Sequence, residues 1–249
     1  MTERRQSTQE KLQSLPQKPG VYLMKSKKEE IIYIGKASSL RNRVRSYFQS
    51  SVPFSPRLNT LRRKIADFNY IVTDSEVEAL ILEANLIKQH KPRYNVNLKD
   101  DKKYPYIAIS KEPYPRIYVT RKLKDDGTEY FGPYTDVKAM RRTLKTLRRI
   151  IPMRSCRWDL PGHHPPRACL NFQIKHCTGP CQGLISLQDY ARLVGEARLF
   201  LKGRSDELVK SLQEKMEEAS RKLKFELAAQ FRDRLADLQS VLVRQKVFT

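Results

Sequence analysis

Residues 20–36, GVYLMKSKKEEIIYIGK, decide the fold of the first part of the chain. Both ends of this stretch are rich in β-branched and aromatic residues, and the polar segment 25–30, KSKKEE, separates them. Such a pattern predicts two strands that pair as a β-hairpin. The triplets GVY (20–22) and YIG (33–35) place one tyrosine in each strand, with ten residues between the two tyrosines.

The residues that follow the hairpin predict the rest of a small domain. Apolar residues at helical spacing predict helices over 38–48 and 76–90, and a further helix is expected over 57–67. The segment 68–74, FNYIVTD, predicts a third strand. The sequence therefore predicts an α+β domain over residues 14–97.

The chain is strongly basic. Its 249 residues include 49 Lys and Arg against 27 Asp and Glu, which gives a net charge of +22. A surplus of this size opposes compaction by self-repulsion and suits a polyanionic partner. Eleven of the 12 tyrosines lie between Tyr22 and Tyr134, in the same basic part of the chain. Tyrosines among cations are typical of nucleic-acid surfaces, whereas a basic surface without a ligand is the alternative.

The composition excludes several classes of protein. With 39% hydrophobic and 31% charged residues, the chain is neither wholly disordered nor collagen-like. No apolar run approaches the roughly 18 residues of a membrane span. The N-terminus also lacks the apolar core of a signal peptide. A cytoplasmic protein with reduced cysteines is therefore expected.

Residues 98–200 are predicted to hold three short strands, a basic helix and a segment rich in Cys, Pro and Gly. The helix opens near Asp136, and cations without a single acid surround its apolar stripe. Such a helix suits a phosphate backbone, and a solvated face above a core stripe is the alternative. DNA is predicted to contact the six cations of this helix, Lys138, Arg141, Arg142, Lys145, Arg148 and Arg149.

The four cysteines of the chain are Cys156, Cys169, Cys177 and Cys181. They do not form the CxxC pairs that are common in zinc ribbons, so the spacing alone does not choose a metal. Four thiolates can hold either Zn²⁺ or a [4Fe-4S] cluster, and buried thiols without a metal are the alternative. Three histidines stand near enough in sequence to replace a cysteine ligand, His163, His164 and His176.

Residues 201–245 return to helical periodicity in two segments. The last 49 residues carry 11 basic and 8 acidic groups, so this region is nearly neutral. It predicts a helical hairpin that binds protein rather than DNA. The hairpin can bury one seam internally and offer Phe225 and Phe231 to a similar hairpin of a partner. A hairpin that only caps its own chain is the alternative.

The two tyrosine triplets resemble the signature of the GIY-YIG nuclease family, with Val21 in place of the isoleucine of the first triplet. Five further residues stand where the site pattern of that family expects them, Lys36, Arg43, Tyr47, Glu83 and Asn95. The resemblance continues through LEANLIKQHKPRYNV (82–96), YFGPY (130–134), the four cysteines and the helical pair. The whole chain is therefore similar to the N-terminal part of the UvrC family, the nuclease subunits of bacterial excision repair.

Hydrolysis of a phosphodiester needs an activated water, and positive charge at the phosphoryl group and at the leaving oxygen. Tyr22 can be the general base only if its pKa falls from about 10 toward neutrality, which Arg43, Lys36 and a bound metal could bring about. Glu83 is expected to be the metal ligand. A single carboxylate suits Mg²⁺ or Mn²⁺, because these ions keep several waters and take phosphate oxygens as further ligands.

The other matched residues are expected to support this chemistry. The planar guanidinium of Arg43 suits the non-bridging oxygens of the scissile phosphate. Asn95 is expected to hold neighbouring groups in place, and Gly35, by the resemblance, allows a close approach where a Cβ would intrude. Three residues are expected to donate hydrogen bonds or to position the water, Lys36, Tyr33 and Tyr47.

The resemblance also implies a reaction, cofactors and partners. It implies a cut in the damaged DNA strand 3′ of a lesion, after UvrB has marked the site and with UvrA acting indirectly. Residues 201–245 are similar to the UVR motif that engages UvrB, and the four cysteines are similar to those that carry a [4Fe-4S] cluster. The second nuclease centre of the family, an RNase H-like domain for the 5′ cut, has no counterpart in these residues. This chain is therefore expected not to make the 5′ incision.

Two other functions remain open from the sequence. A non-catalytic module could bind DNA and dock on UvrB while the tyrosine site is idle, and cleavage that depends on Mg²⁺ or Mn²⁺ would exclude it. A freestanding GIY-YIG endonuclease would have its own target and no need of a docking hairpin. Failure of residues 201–245 to bind UvrB would favour that second alternative.

Overall fold

The computed structural model describes residues 8–49, 55–95, 104–162 and 165–243. They form two compact units, with the boundary between residues 100 and 101. The first unit contains the predicted α+β domain. The second contains both the strand-and-helix region and the C-terminal helices. The predicted domain limits at 97 and 245 lie outside the described residues.

The described part of the first unit has three strands and four helices: α1 (Thr8–Gln13), β1 (Gly20–Lys25), β2 (Ile31–Ala37), α2 (Leu40–Phe48), α3 (Pro56–Arg62), β3 (Asp67–Val72) and α4 (Glu76–His90). The strands form one antiparallel sheet in the order β2-β1-β3. The predicted hairpin is confirmed, and it places Tyr22 opposite Gly35. The helix expected over 57–67 ends at Arg62, because the chain turns there toward β3.

The helices of the first unit begin where short polar side chains can cap them. The Ser39 hydroxyl accepts a hydrogen bond from the backbone N–H of Asn42 at the start of α2. The Ser75 hydroxyl accepts one from Glu78 at the start of α4. Each bond satisfies an N–H group that has no partner within the helix. The caps therefore fix the start of the two helices that carry predicted site residues.

Each face of the sheet is covered by helix. Successive residues of a strand point to opposite faces, and β1 follows this rule. Tyr22 packs in one buried cluster with Leu40 and Tyr47 of α2. Its neighbour Val21 packs in another cluster with Ile87 of α4. The tyrosines of the hairpin therefore point toward α2, and α4 lies across the opposite face.

The second unit contains a three-stranded antiparallel sheet and the remaining helices. Its elements are β4 (Tyr106–Ile109), β5 (Ile117–Thr120), β6 (Glu129–Phe131), α5 (Val137–Ile150), α6 (Leu170–Gln173), a 3₁₀ turn (Pro180–Gln182), α7 (Leu187–Leu201), α8 (Ser205–Arg221) and α9 (Phe225–Val243). The strand order is β5-β4-β6, so β5 and β6 flank β4. No helix among the described residues is both long enough and apolar enough to cross a membrane.

A buried carboxylate joins the last three helices. Glu196 of α7 is 5% exposed, and its two oxygens pair with Lys215 of α8 and Arg234 of α9. The Nε of Arg234 also donates to the backbone oxygen of Ile150, at the end of α5, over 2.6 Å. One side of the hairpin therefore packs against its own chain, which is the capping role that the sequence left as an alternative.

Replacing Glu196 with alanine is expected to lower the free energy of unfolding of the second unit by about 3–5 kcal/mol, because it leaves two cations without their buried counter-charge. Urea denaturation of the full chain measures this loss. Asp233→Ala is the matched control, since Asp233 pairs with Arg232 on the exposed side of α9 and exposed pairs contribute at most about 1 kcal/mol. Equal losses of unfolding free energy in the two variants would contradict the role of Glu196 as the buried ion-pair partner of α8 and α9.

Candidate active site

Three tyrosines meet on the α2 side of the first sheet. Tyr22 of β1, Tyr33 of β2 and Tyr47 of α2 have ring centroids 5.7–6.3 Å apart. The hydroxyl oxygens of Tyr22 and Tyr47 lie 3.1 Å apart, within hydrogen-bond distance. Because β1 and β2 are neighbouring strands and α2 packs on them, the hairpin and one helix are enough to assemble this cluster.

Gly35 gives the Tyr22 hydroxyl the room that it occupies. A Cβ added at Gly35 would lie 2.4 Å from the Tyr22 hydroxyl oxygen and 2.6 Å from the ring carbon that carries it. The ring cannot turn away easily, since Tyr22 is 1% exposed and packs against two other rings. The close approach expected at this glycine is therefore present.

A Gly35→Ala substitution is expected to destabilise the first unit by about 1–3 kcal/mol, as other overpacked sites do, and to move the Tyr22 hydroxyl from its place. Urea denaturation measures the stability, and the rate of the DNA cleavage that the sequence predicts shows whether the hydroxyl has been displaced. Gly195→Ala is the control, because an added Cβ there meets no atom within 4 Å. In the interior of α7 alanine is expected to raise stability by up to about 1 kcal/mol. Full incision by Gly35→Ala would contradict the need for this hydroxyl position.

Arg43 brings a positive charge to the tyrosine cluster. Its Nε donates to the Tyr22 hydroxyl over 3.4 Å, and its guanidinium carbon lies 5.4 Å from the centroid of the Tyr47 ring. Arg43 is itself exposed, on the helix that carries Tyr47. The guanidinium therefore lies between the buried hydroxyl and solvent, where a phosphate can reach it.

The pKa of Tyr22 differs from the sequence-based expectation. Burial raises this pKa well above the ordinary value, and the neighbouring Tyr33 and Tyr47 raise it further. Arg43 acts in the opposite direction but does not outweigh the burial. The pKa of Tyr33 is also raised, first by burial and then by Tyr47 and Glu83. The protein's own cations therefore leave Tyr22 protonated, and ionisation requires further positive charge at its hydroxyl.

Glu83 reaches the edge of the sheet from α4. It is 5% exposed, and its Oε1 accepts a hydrogen bond from the backbone N–H of Lys36 over 3.1 Å. Lys36 follows Gly35 in β2, so the carboxylate lies beside the strand that faces Tyr22. No group of three His, Cys, Asp or Glu residues among the described residues is arranged to hold a metal ion. A lone carboxylate oxygen suits Mg²⁺ or Mn²⁺, which can complete their shells with waters and phosphate oxygens.

Asn95 binds the backbone of β2. Its Oδ1 accepts from the backbone N–H of Ile34, and its Nδ2 donates to the backbone oxygen of the same residue. Ile34 lies between Tyr33 and Gly35 in β2. The Asn95 amide therefore fixes the strand that holds Tyr33 and leaves room for Tyr22.

In the second unit, the four cysteines line one cavity of about 140 Å³. Cys177 and Cys181 are buried, Cys156 is half-buried and Cys169 is exposed. Burial and the neighbouring thiols raise the pKa of Cys177 to about 11. His163 and His164 lie outside the described residues. All four cysteines of the predicted centre thus line one cavity, although the described residues there are not arranged to hold a single metal ion.

Two residues of the predicted DNA-binding helix have contacts with other elements of the second unit. The Arg148 side chain is half-buried and donates to the backbone oxygen of Ile117 over 3.4 Å, and burial lowers its pKa. Arg149 forms an ion pair with Asp237 of α9 at 3.0 Å. Arg148 is thus partly enclosed where β5 packs against this end of α5, whereas Arg149 keeps an exposed side chain beside α9. Five cations of the helix are exposed, Lys138, Arg141, Arg142, Lys145 and Arg149.

The two phenylalanines of the hairpin also differ from each other. Phe225 is 64% exposed and lines a groove of about 580 Å³ between α8 and α9. Phe231 is half-buried, and the guanidinium of Arg234 lies 5.8 Å from its ring centroid. Only Phe225 is therefore presented as predicted. Leu223, two residues before Phe225, is 73% exposed.

Curated relatives align with nearly the whole chain. The UvrABC system protein C of Moorella thermoacetica is 52% identical over 240 residues, and that of Alkaliphilus oremlandii is 49% identical over 241 residues. Each alignment covers 96% of this chain and 39% of the relative, so the chain spans 39% of the length of these relatives. One similar solved structure is a crystal structure of the GIY-YIG N-terminal endonuclease domain of UvrC from Thermotoga maritima, bound to magnesium. It is 41% identical in sequence, and the match covers 39% of this chain and 100% of the Thermotoga chain, with a TM-score of 0.32.

Three family models match the chain one after another. A UvrC-like GIY-YIG domain matches residues 18–96, the middle domain of the UvrC/Cho excinucleases matches 104–200, and the UvrB/uvrC motif matches 206–241. The first match contains the tyrosine cluster with Arg43 and Glu83, the second the basic helix and the four cysteines, and the third the helical hairpin. With this order of domains and the identity to its relatives, the chain belongs to the UvrC family.

Proposed function

We propose that this chain is a metal-dependent DNA endonuclease of nucleotide excision repair that makes the 3′ incision next to a lesion in a UvrB–DNA complex. The observation that carries the proposal is the contact of the Tyr22 hydroxyl with Tyr47 and Arg43, beside a strand whose edge is held by Glu83. A proton acceptor, a phosphate-binding cation and a hard carboxylate ligand are the groups that phosphodiester hydrolysis needs.

Arg43 and Tyr22 act on the scissile phosphate and the attacking water. The guanidinium of Arg43 presents a planar set of N–H donors, and we propose that its Nη groups bind the non-bridging phosphate oxygens. Tyr22 accepts the proton of the attacking water, and Tyr33, Tyr47 and the Lys36 ammonium orient that water or stabilise the charge. A Mg²⁺ or Mn²⁺ ion bound by Glu83 would supply the positive charge that Tyr22 needs in order to ionise.

The second unit holds the DNA and the partner. The exposed cations of α5 contact the phosphate backbone without reading its sequence. The groove beside Phe225 accepts the helical hairpin of UvrB, because an exposed aromatic in an apolar groove between helices suits an amphipathic helix. UvrA acts through UvrB. A cytoplasmic location, where bacterial DNA lies, follows from this role.

Arg141→Ala with Arg142→Ala is expected to weaken duplex binding about equally for all sequences, and to reduce the slope of log affinity against log salt by about 1 for each phosphate that the variant no longer binds. Titration of a labelled duplex at several salt concentrations measures both quantities. Arg232→Ala is the control, because this exposed arginine of α9 pairs with Asp233, lies outside the proposed DNA surface and is expected to leave the salt slope unchanged. A wild-type slope in the double variant would remove α5 from the DNA surface.

The cysteine-lined cavity is the proposed site of a metal centre. Four thiols around one cavity of about 140 Å³ suit a [4Fe-4S] cluster, which is larger than a single ion and separates its ligands more widely. Zn²⁺ is the alternative. Ligation by Cys156, Cys169, Cys177 and Cys181 would crosslink a segment with little regular structure.

Incision of a damaged duplex with UvrA and UvrB, in Mg²⁺ and in a chelator, tests the proposed function. The proposal predicts a cut that requires the divalent ion, the lesion and both partners. Retention of the UvrB–DNA complex without any cut would indicate a non-catalytic docking module. A cut in undamaged DNA without UvrA and UvrB would indicate a freestanding nuclease.

A further inference from the structure

The most deeply buried charged side chain of the described residues lies at the cysteine cavity. Arg154 is 0% exposed, which is rare for an arginine unless it is paired. Its Nε donates to the backbone oxygen of Tyr114 and its Nη1 to that of Trp158, each over 2.6 Å. The same Nη1 lies 3.8 Å from the Sγ of Cys156. One guanidinium therefore links the loop after β4 to the segment that carries the first cysteine.

The backbone of Arg154 is held as firmly as its side chain. Its N–H donates to the Tyr190 hydroxyl over 2.9 Å, and that hydroxyl donates to the backbone oxygen of Pro115 over 2.8 Å. Its carbonyl oxygen accepts from the N–H of Ile117 over 3.0 Å. Contacts with β5 and α7 thus fix both ends of the residue, so the guanidinium has a defined place beside Cys156.

Among the described residues at the cavity, arginines outnumber acids. Glu112 pairs with Arg154, but the same carboxylate also pairs with Arg116 at 3.4 Å. Arg167 is a second arginine in the cavity wall, and the described residues that line this cavity include no acid. One carboxylate shared by two arginines leaves positive charge next to four thiols.

Glu112 can neutralise only one of the two arginines that it contacts. Charge in a buried place is costly unless it is balanced, and an anionic neighbour would balance the remainder. Four thiolates on Zn²⁺ or on a [4Fe-4S] cluster carry net negative charge, so either centre would match the excess charge of this cavity. Groups just outside a metal site commonly orient its ligands in this way. The uncharged thiols of a metal-free cavity would not supply the match.

We propose that Arg154 is the positioning and charge-compensating residue of a thiolate metal centre in this cavity. It holds Cys156 in reach of the other three cysteines and places a fixed positive charge beside the anionic group that they form. The inference rests on the proposed metal centre and adds a residue that is not one of its ligands. The same role gives a function to the excess positive charge that Arg154, Arg116 and Glu112 carry together.

Anaerobic reconstitution of the apo chain with Fe²⁺ and sulfide tests this role. The measured quantity is the chelator concentration that removes half of the bound iron, followed by visible absorbance. Arg154→Met is expected to lower that concentration about 10–100-fold, the usual effect of losing a residue that supports metal ligands. Arg154→Lys keeps the charge but lacks the planar set of donors that reaches two carbonyls, Cys156 and Glu112 at once. Its chelator concentration is expected to lie between those of wild type and Arg154→Met. Arg157→Met, on the exposed neighbour in the same segment, should match wild type.

The outcomes separate the inference from the proposed centre. If Arg154→Met folds, as judged by circular dichroism, and holds iron as tightly as wild type, the role of Arg154 is overturned and the centre stands. If wild type binds no iron, the proposed cluster itself is overturned and the inference falls with it.

Glu112→Gln tests the same inference with Arg154 in place, even if Arg154→Met fails to fold. This variant removes the shared negative charge, so the reduction potential of the reconstituted centre should rise. An unchanged or lower potential would contradict charge compensation by Arg154.

Discussion

Tyr22→Phe is expected to slow incision about 10²–10⁴-fold, the usual contribution of a general base, while binding of the damaged duplex with UvrB stays at the wild-type level. The substitution removes one hydroxyl and keeps the ring that packs between Tyr33 and Tyr47. Single-turnover cleavage and a gel-shift assay measure the two effects. Tyr70→Phe is the matched control, since Tyr70 pairs with Tyr22 across β1 and β3 without belonging to the site, and it should cut at the wild-type rate.

The pH dependence of the same reaction reports the ionisation of Tyr22. Burial raises the pKa of this phenol, and its deprotonated form is the active one, so the rate should be low in acid and rise with pH. Below the pKa of the metal-loaded site, the rise should be about tenfold per pH unit. Tyr22→Phe should lose this dependence. If the variant keeps the wild-type rate and slope, another group is the base.

Glu83→Gln is expected to reduce incision on the order of 10³-fold at any Mg²⁺ concentration, because a metal ion supplies several kcal/mol of charge stabilisation at a reacting phosphate. The amide oxygen of glutamine can still accept the hydrogen bond from the Lys36 N–H, so the sheet edge is preserved. Calorimetric titration with Mn²⁺ measures the metal affinity directly. Glu76→Gln, on the first turn of the same helix, is the control. Wild-type metal dependence in Glu83→Gln would remove Glu83 as the ligand.

Local patterns predicted the centre of the candidate site. Strand signals on both sides of KSKKEE predicted the hairpin that carries Tyr22 and Tyr33, and helical spacing predicted the helix that carries Tyr47. The pairing of Tyr22 with Gly35 and the packing of Tyr47 on the sheet come from the structure. Glu83 and Asn95 came from the family resemblance, and the structure gives the physical reason for each, a bond to the Lys36 N–H and a clamp on Ile34. These contacts depend on the register of the strands and on the phase of the helices, and the sequence encodes both.

The other features depend on which elements, distant in the sequence, pack against each other. No local sequence pattern predicts that packing. Arg148 and Arg149 share a basic face with four other cations, and only the packing of β5 and α9 separates them. The pKa of Tyr22 depends on how completely its surroundings bury it, which outweighs the nearby charge of Arg43. Nothing in the sequence distinguishes Arg154 from other cations, because its partners come from α7 and from the loop before β5.

One missed element had a signal in the sequence. Tyr190, Leu193, Val194 and Ala197 recur at helical spacing, and all four are buried in α7. The run begins directly after the irregular Cys-rich segment and contains Gly195, a weak helix former. Its role in placing Glu196 against the hairpin could not be read without the positions of Lys215 and Arg234.

Mapping of the cut on a duplex with a single bulky adduct, labelled at either end of the damaged strand and loaded with UvrA and UvrB, tests the central claim most directly. In Mg²⁺, the chain is predicted to cut the damaged strand on the 3′ side of the adduct, and Glu83→Gln is predicted to leave that strand intact. An uncut strand with the wild-type chain bound, or an equal 3′ cut by Glu83→Gln, would contradict the account.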